Sequence, residues 1–159
     1  MPNRLEIAAS GELDAVLTRT FDAPRQLLWD CHTKPDLMKR WLFGPDGWSM
    51  PECDIDLRVD GRYRYLWRHR DGREMAMAGG FREIVAPARI VHTELFDEDW
   101  TGGQTTVTTT FSERAGKTTL HMVIHYASPA ARDAALATPM ADGMEAGYRR
   151  LDAIFATVR

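Results

Sequence analysis

From Trp48 to Tyr126 the chain alternates short β-rich runs with tight polar links, and this rhythm limits the possible folds more than any other feature. Strand-like runs cover residues 48–57, 62–69, 75–85, 89–96, 104–112 and 118–126, and residues 13–21 supply one more ahead of them. The links carry Asp60-Gly61, Asp71-Gly72, Ala86-Pro87, Gly102-Gly103 and Ala115-Gly116. Parallel neighbours need crossovers of a dozen or more residues, so links this short predict an antiparallel meander.

Side-chain parity then orients one hairpin. Glu52, Asp54 and Asp56 share one face, and Cys53, Ile55 and Leu57 share the other. Beyond the turn, Arg62, Arg64 and Arg68 alternate with Tyr63, Tyr65 and Trp67. A two-residue Asp-Gly turn would set acids opposite aromatics. A three-residue connection with a glycine bulge sets acid opposite arginine and apolar opposite aromatic, and is the form expected. The face bearing Tyr63, Tyr65 and Trp67 then looks inward.

Helices flank the strands. Pro24 opens a helix through residues 25–31, and a second short one runs over residues 36–41. At the C-terminus, Ser128-Pro129 is a cap followed by proline, and Thr138-Pro139 repeats the signal. The chain should therefore break there and start a longer helix over residues 139–158, about 28 Å long. Met140, Met144, Tyr148, Leu151, Phe155 and Val158 form one apolar stripe along it. Glu145 and Arg149 are expected as a pair on its wet side. Gly143 and Gly147 interrupt the helix, each at a cost of about 1 kcal/mol. Gly147 borders the stripe; it leaves either room for a ligand against the sheet or close packing on a bulky strand residue.

At 159 residues with 44% hydrophobic content, the chain fits one domain: residues 1–12 read as an N-terminal extension and residues 13–158 as the domain. A net charge of −3 gives no general pull toward nucleic acid, and the arginines around residues 58–73 are balanced by neighbouring acids. No run approaches the ~20 apolar residues of a membrane span, and Met1 to Ser10 lack a signal-peptide core. The expectation is a cytoplasmic protein without membrane insertion, with Cys31 and Cys53 as reduced thiols.

Three segments carry a family resemblance. Leu17-Thr18-Arg19-Thr20-Phe21-Asp22-Ala23-Pro24, with Trp29 and the stretch from Asp36 to Trp41, resembles the opening of the activator of heat-shock protein 90 ATPase homologue family. Asp56-Leu57-Arg58-Val59-Asp60-Gly61-Arg62-Tyr63 resembles its second-to-third strand signature, with Asp60-Gly61 where two glycines are usual. Gly143-Met144-Glu145-Ala146-Gly147-Tyr148, with Leu151 and Ile154, resembles its final helix. The resemblance implies an α+β, START-like (SRPBCC) helix-grip fold: a curved antiparallel sheet, two short N-terminal helices and a long C-terminal helix enclosing a cavity. It carries no invariant catalytic set.

The side chains able to reach such a cavity are Trp41, Trp48, Met50, Tyr65, Trp67 and Met75, together with Met77, Met122, Met144, Gly147 and Tyr148. This methionine- and aromatic-rich set suits an apolar or aromatic molecule held by a few polar groups. His92 and Glu94 share parity with Phe96. If that face turns inward they form an acid–base pair in the cavity; if Val91, Thr93 and Leu95 turn inward the pair is solvated, which is the arrangement expected. His121 and His125 are four apart on a strand, roughly 13 Å, too far for one metal ion. The loops at residues 43–48 and 97–103 place aromatics beside glycines, and either gate the cavity or form local clusters.

Binding of a small apolar or aromatic ligand, lipid- or polyketide-like, is the leading expectation, with no cofactor and no metal. A cyclase- or lyase-type enzyme using cavity acids and bases is one alternative. A protein-interaction role, such as stimulating a chaperone ATPase, is another. A homodimer is possible on this sequence.

Overall fold

The computed structural model describes residues 3–98 and 102–158. In chain order the elements are β1 (Glu6–Ser10), β2 (Asp14–Phe21), α1 (Arg25–Thr33), α2 (Pro35–Met38), β3 (Trp48–Ile55) and β4 (Arg62–His69). There follow β5 (Glu74–Val85), β6 (Arg89–Phe96), β7 (Thr105–Arg114), β8 (Lys117–His125), α3 (Pro129–Leu136) and α4 (Met140–Thr157).

The strands form a single eight-stranded antiparallel sheet in the order β1-β2-β8-β7-β6-β5-β4-β3. Strands β3 to β8 are therefore the meander that the short links require. The N-terminal hairpin docks at its far end, where β2 pairs along β8. Strand β1 lies within residues 1–12, read from sequence as an extension. It is an almost wholly exposed edge strand, so it lacks the apolar alternation that would have marked it.

The β3–β4 register sets Asp54 opposite Arg64, Cys53 opposite Tyr65 and Ile55 opposite Tyr63, the expected acid–arginine parity. Tyr63, Tyr65 and Trp67 are buried. The expected glycine bulge is not what turns the chain: the left-handed residue is Asp60, at φ 67°, and its N–H donates to the Phe81 carbonyl at 2.9 Å.

The sheet has register irregularities between Ser49 and Glu52 on β3 and between Phe81 and Glu83 on β5. Such bulges bend and twist a sheet. Gly79 lies just ahead of the second one. A Cβ at that position would collide with the Thr93 carbonyl of β6, so only glycine permits this approach of the two backbones.

The C-terminal segment breaks at Thr138-Pro139 as expected. The Ser128 hydroxyl caps α3, accepting from the Ala131 N–H at 3.1 Å. Tyr148, Leu151 and Phe155 of α4 are 2%, 0% and 1% exposed, and Phe21 of β2 meets Tyr148 and Phe155 edge-on at 5.4 and 6.0 Å. Val158, assigned to the same stripe from spacing, is 60% exposed because α4 ends at Thr157.

Glu145 is not on a wet face. It keeps Arg149 at 3.1 Å, but its carboxylate also accepts from buried Arg19 of β2 and from the Leu5 N–H. Arg19 pairs with Asp152 as well, at 2.8 Å, two turns further along α4. Charge thus anchors the helix to the sheet beside the apolar stripe.

Candidate functional site: a cavity under the C-terminal helix

Between α4 and the sheet lies a cavity of about 580 Å³, within the range of small-molecule sites. Its walls come from nearly every element. Trp41 follows α2, and Trp48 opens β3. Tyr65 and Trp67 project from β4, and Met75 and Met77 from β5. Met122 comes from β8, and Met144, Gly147 and Tyr148 from α4.

Met50 is the exception among the residues assigned to the cavity from sequence. It is buried in the main core cluster instead. It keeps the inward parity of Trp48, with Ser49 and Pro51 exposed on either side of it.

Strand β6 also departs from expectation. His92 and Glu94 face the cavity, with Ile90 and Phe96 of the same parity beside them. The side chains are 18% and 25% exposed, and His92 Nε2 lies 3.1 Å from Glu94 Oε2. Leu95, on the opposite face, is 42% exposed. Thr93 is nonetheless buried, because Tyr63 donates its hydroxyl to the Thr93 carbonyl and the Gly80 N–H donates to its side-chain hydroxyl. Both faces of β6 hold apolar residues, so parity alone left the choice open.

The Gly147 gap resolves as close packing. A Cβ there would sit 3.4 Å from the Trp41 carbonyl and 3.5 Å from its ring, and Trp41 stacks on Tyr148 at 5.8 Å. The bulky neighbour comes from the segment after α2, not from a strand. Open space lies one turn earlier: nothing approaches within 4 Å of a Cβ at Gly143, which also lines the cavity.

The segment after α2 forms part of the wall through Leu42, Gly44, Pro45 and Trp48. It is tied on three sides. Trp41 Nε1 donates to the Cys31 carbonyl, and Trp67 Nε1 to the Leu42 carbonyl, each at 2.7 Å. Arg150 of α4 donates to the Trp41 and Gly44 carbonyls at 3.1 and 2.8 Å, and its guanidinium lies 3.9 Å from the Phe43 ring centre. In the second glycine-rich loop, Asp99, Trp100 and Thr101 lie outside the described residues.

Several lining groups had no clear sequence signal. Thr105 and Thr109 of β7 face the cavity, and Thr105 is the cross-strand partner of Glu94. Threonines fill β7 on both faces, so composition did not single these out. His32 lines the cavity from α1, its ring 4.8 Å from Trp41 and 5.1 Å from Phe111. Its Nδ1 must donate to the Leu28 carbonyl, 2.7 Å away, because that oxygen only accepts. Burial pushes its pKa down to about 4, outweighing that bond, so the ring is neutral and Nε2 offers a lone pair. No described residue hydrogen-bonds to Nε2.

Glu94 is the electrostatic focus of the site. Burial raises the tyrosine pKa values of Tyr63, Tyr65, Tyr126 and Tyr148, and the negative charge of Glu94 raises all four further. The hydroxyls thus stay protonated and able to donate. Cys31 and Cys53 are free and buried, with thiol pKa values pushed up to about 11 chiefly by burial, so neither is an activated nucleophile. His121 and His125 lie on the exposed face of β8.

A sheet wrapped around a long C-terminal helix, with a largely apolar cavity between them, defines a helix-grip domain. The chain belongs to the family described as Activator of Hsp90 ATPase homolog 1-like proteins, whose model matches residues 22–156. It is 37% identical to a Rhodobacter sphaeroides protein of known crystal structure, with a TM-score of 0.91 over 97% of this chain and 99% of that one. A Mycobacterium smegmatis protein, Ms6760, is 25% identical with a TM-score of 0.83, covering 97% and 98% of the two chains. The Nitrosomonas europaea protein NE0264, at 22% identity and a TM-score of 0.80 over 94% and 97%, shares the fold. No curated protein matches this sequence. Among the described residues, no helix is long and apolar enough to cross a membrane.

Proposed function

We propose that this protein binds a small apolar or aromatic molecule in the cavity beneath α4. One observation carries the reading: a space of about 580 Å³ is lined by methionine and aromatic side chains, yet keeps a hydrogen-bonded His–Glu pair on one wall. Methionine adapts to irregular apolar shapes, and tyrosine and tryptophan add a polar tip to a large apolar face.

The test is titration with N-phenyl-1-naphthylamine, a neutral apolar fluorophore. Saturable binding by the wild type is expected, with affinity falling at least ~10-fold, or 1.4 kcal/mol, in Gly143→Phe, whose side chain would enter open space at the cavity. A wild type that gives no saturable signal would sink the proposal.

A second reading has its own observation. His92 and Glu94 face the cavity at 3.1 Å, which supports proton transfer to or from a bound substrate. Host-cell extract would be incubated with the wild type and with His92→Gln, followed by untargeted mass spectrometry. A compound consumed only by the wild type supports an enzyme; identical profiles argue for binding alone. The expectation of a chaperone partner rests on the family resemblance.

A further inference from the structure

We infer that the cavity selects ligands whose polar end is an uncharged hydrogen-bond donor, such as an alcohol or phenol, and discriminates against carboxylates, through the carboxylate of Glu94. This inference rests on the binding reading above and concerns the chemistry of the ligand's head.

Glu94 is the single carboxylate among the described residues lining the cavity, and its one ion-pair partner among them is His92. A carboxylate accepts at two oxygens, and His92 occupies one of them. His32 adds another acceptor, a neutral Nε2 without a described partner. The hydroxyls of Thr105, Thr109, Tyr65 and Tyr148 rotate and serve as either donor or acceptor, so they do not discriminate. Glu94 and His32 thus offer open acceptors that call for a donor on the ligand, while the fixed donors of the wall, the Trp48 indole N–H and the remaining N–H groups of Arg150, come from the start of β3 and from α4.

A ligand carboxylate reaching this wall would bring a second negative charge beside Glu94, in a setting where apolar walls screen poorly. Like charges brought together at a binding site cost several kcal/mol. Among the described residues lining the cavity, the one permanent cation is Arg150, and its NH1 and NH2 nitrogens each already donate one bond, to the Trp41 and Gly44 carbonyls.

The experiment displaces bound N-phenyl-1-naphthylamine with 1-dodecanol, methyl dodecanoate and dodecanoate at pH 8. The alcohol is expected to displace best, then the ester, then the acid, with at least ~10-fold between first and last, or 1.4 kcal/mol. Dodecanol partitions into any apolar site better than an anion, so the deciding quantity is how that ratio changes in a variant. Glu94→Gln removes the charge and should shrink the alcohol–acid ratio at least about threefold; circular dichroism checks that it folds. His92→Leu leaves Glu94 without its partner and should widen the ratio, which keeps the inference testable if Glu94→Gln is unstable. A ratio unchanged in both variants overturns the inference, as does equal displacement by acid and alcohol. So does a preference for dodecanoate that Arg150→Gln abolishes. In those three outcomes the fluorophore still binds and the cavity reading stands. Failure of the fluorophore to bind the wild type removes both.

Discussion

Arg19 is 1% exposed, and its guanidinium donates to Glu145 at 2.8 Å and to Asp152 at 2.8 and 3.0 Å. Burial alone would lower its pKa, but the hydrogen bonds it donates to both carboxylates raise it overall, so it stays charged. Removing one member of a buried pair leaves uncompensated charge. Arg19→Met should therefore lose roughly 3 kcal/mol of unfolding free energy in urea denaturation. Adding Glu145→Met and Asp152→Met to it should recover much of that loss, since apolar replacement of a whole buried network is often neutral. A single-variant loss below about 1 kcal/mol would show that Arg19 does not anchor the helix.

His32 gives the protein an acid sensitivity of its own. Its folded pKa lies near 4 and its unfolded value near 6.5. Above 6.5 both states are neutral and nothing is lost. Between 6.5 and 4 the unfolded chain takes up a proton that the folded chain refuses, so stability falls with pH by up to about 3 kcal/mol. Glu145 acts lower. Burial works to raise its pKa, but bonds from Arg19, the Leu5 N–H and Arg149 lower it below 4.5 on balance. Its contribution is fully present above about 4.5 and is lost as pH falls through the lower folded value. Thermal melts from pH 8 to 3 should show both phases, and His32→Gln should flatten the first while leaving the second.

At the scale of the element, α4 holds two glycines with different reasons to be there. Nothing lies within 4 Å of a Cβ at Gly143, while Gly147 meets the Trp41 carbonyl and ring. Gly143→Ala should raise stability by about 0.5–1 kcal/mol through helix propensity alone. Gly147→Ala should gain less, because its methyl would stand 3.4 Å from the Trp41 carbonyl, at the tight edge of ordinary van der Waals contact. A calorimetric melt of the two variants decides, and equal gains would mean that Trp41 does not rest on Gly147. Spacing identified both glycines, but it could not rank them, because the partner of Gly147 lies more than a hundred residues away.

For the molecule as a whole, the cavity links ligand to stability by mass action. A ligand at a hundred times its dissociation constant adds about 2.7 kcal/mol, which for a chain of 159 residues corresponds to a Tm rise of roughly 5–10 °C. N-phenyl-1-naphthylamine should produce that shift in the wild type and much less in Gly143→Phe, measured by differential scanning calorimetry. A shift of the same size in both proteins would place the ligand elsewhere.

How much of this was legible from the sequence depended on distance along the chain. Local chemistry alone determined the antiparallel meander, the acid–arginine parity of Asp54 with Arg64 and the helix break at Thr138-Pro139. Turn links, strand alternation and proline caps all act over a few residues. Tertiary structure decided what those signals leave ambiguous. Both faces of β6 carry apolar residues, and only its place in the bent sheet turned His92 and Glu94 inward. Met50 packs into the core and does not reach the cavity lining. Exposed β1 formed because β2 offered an edge, and Arg19 could be buried only because Glu145 and Asp152 arrive from α4 to neutralise it. Each of these outcomes turns on partners distant in sequence, whose approach no local pattern encodes.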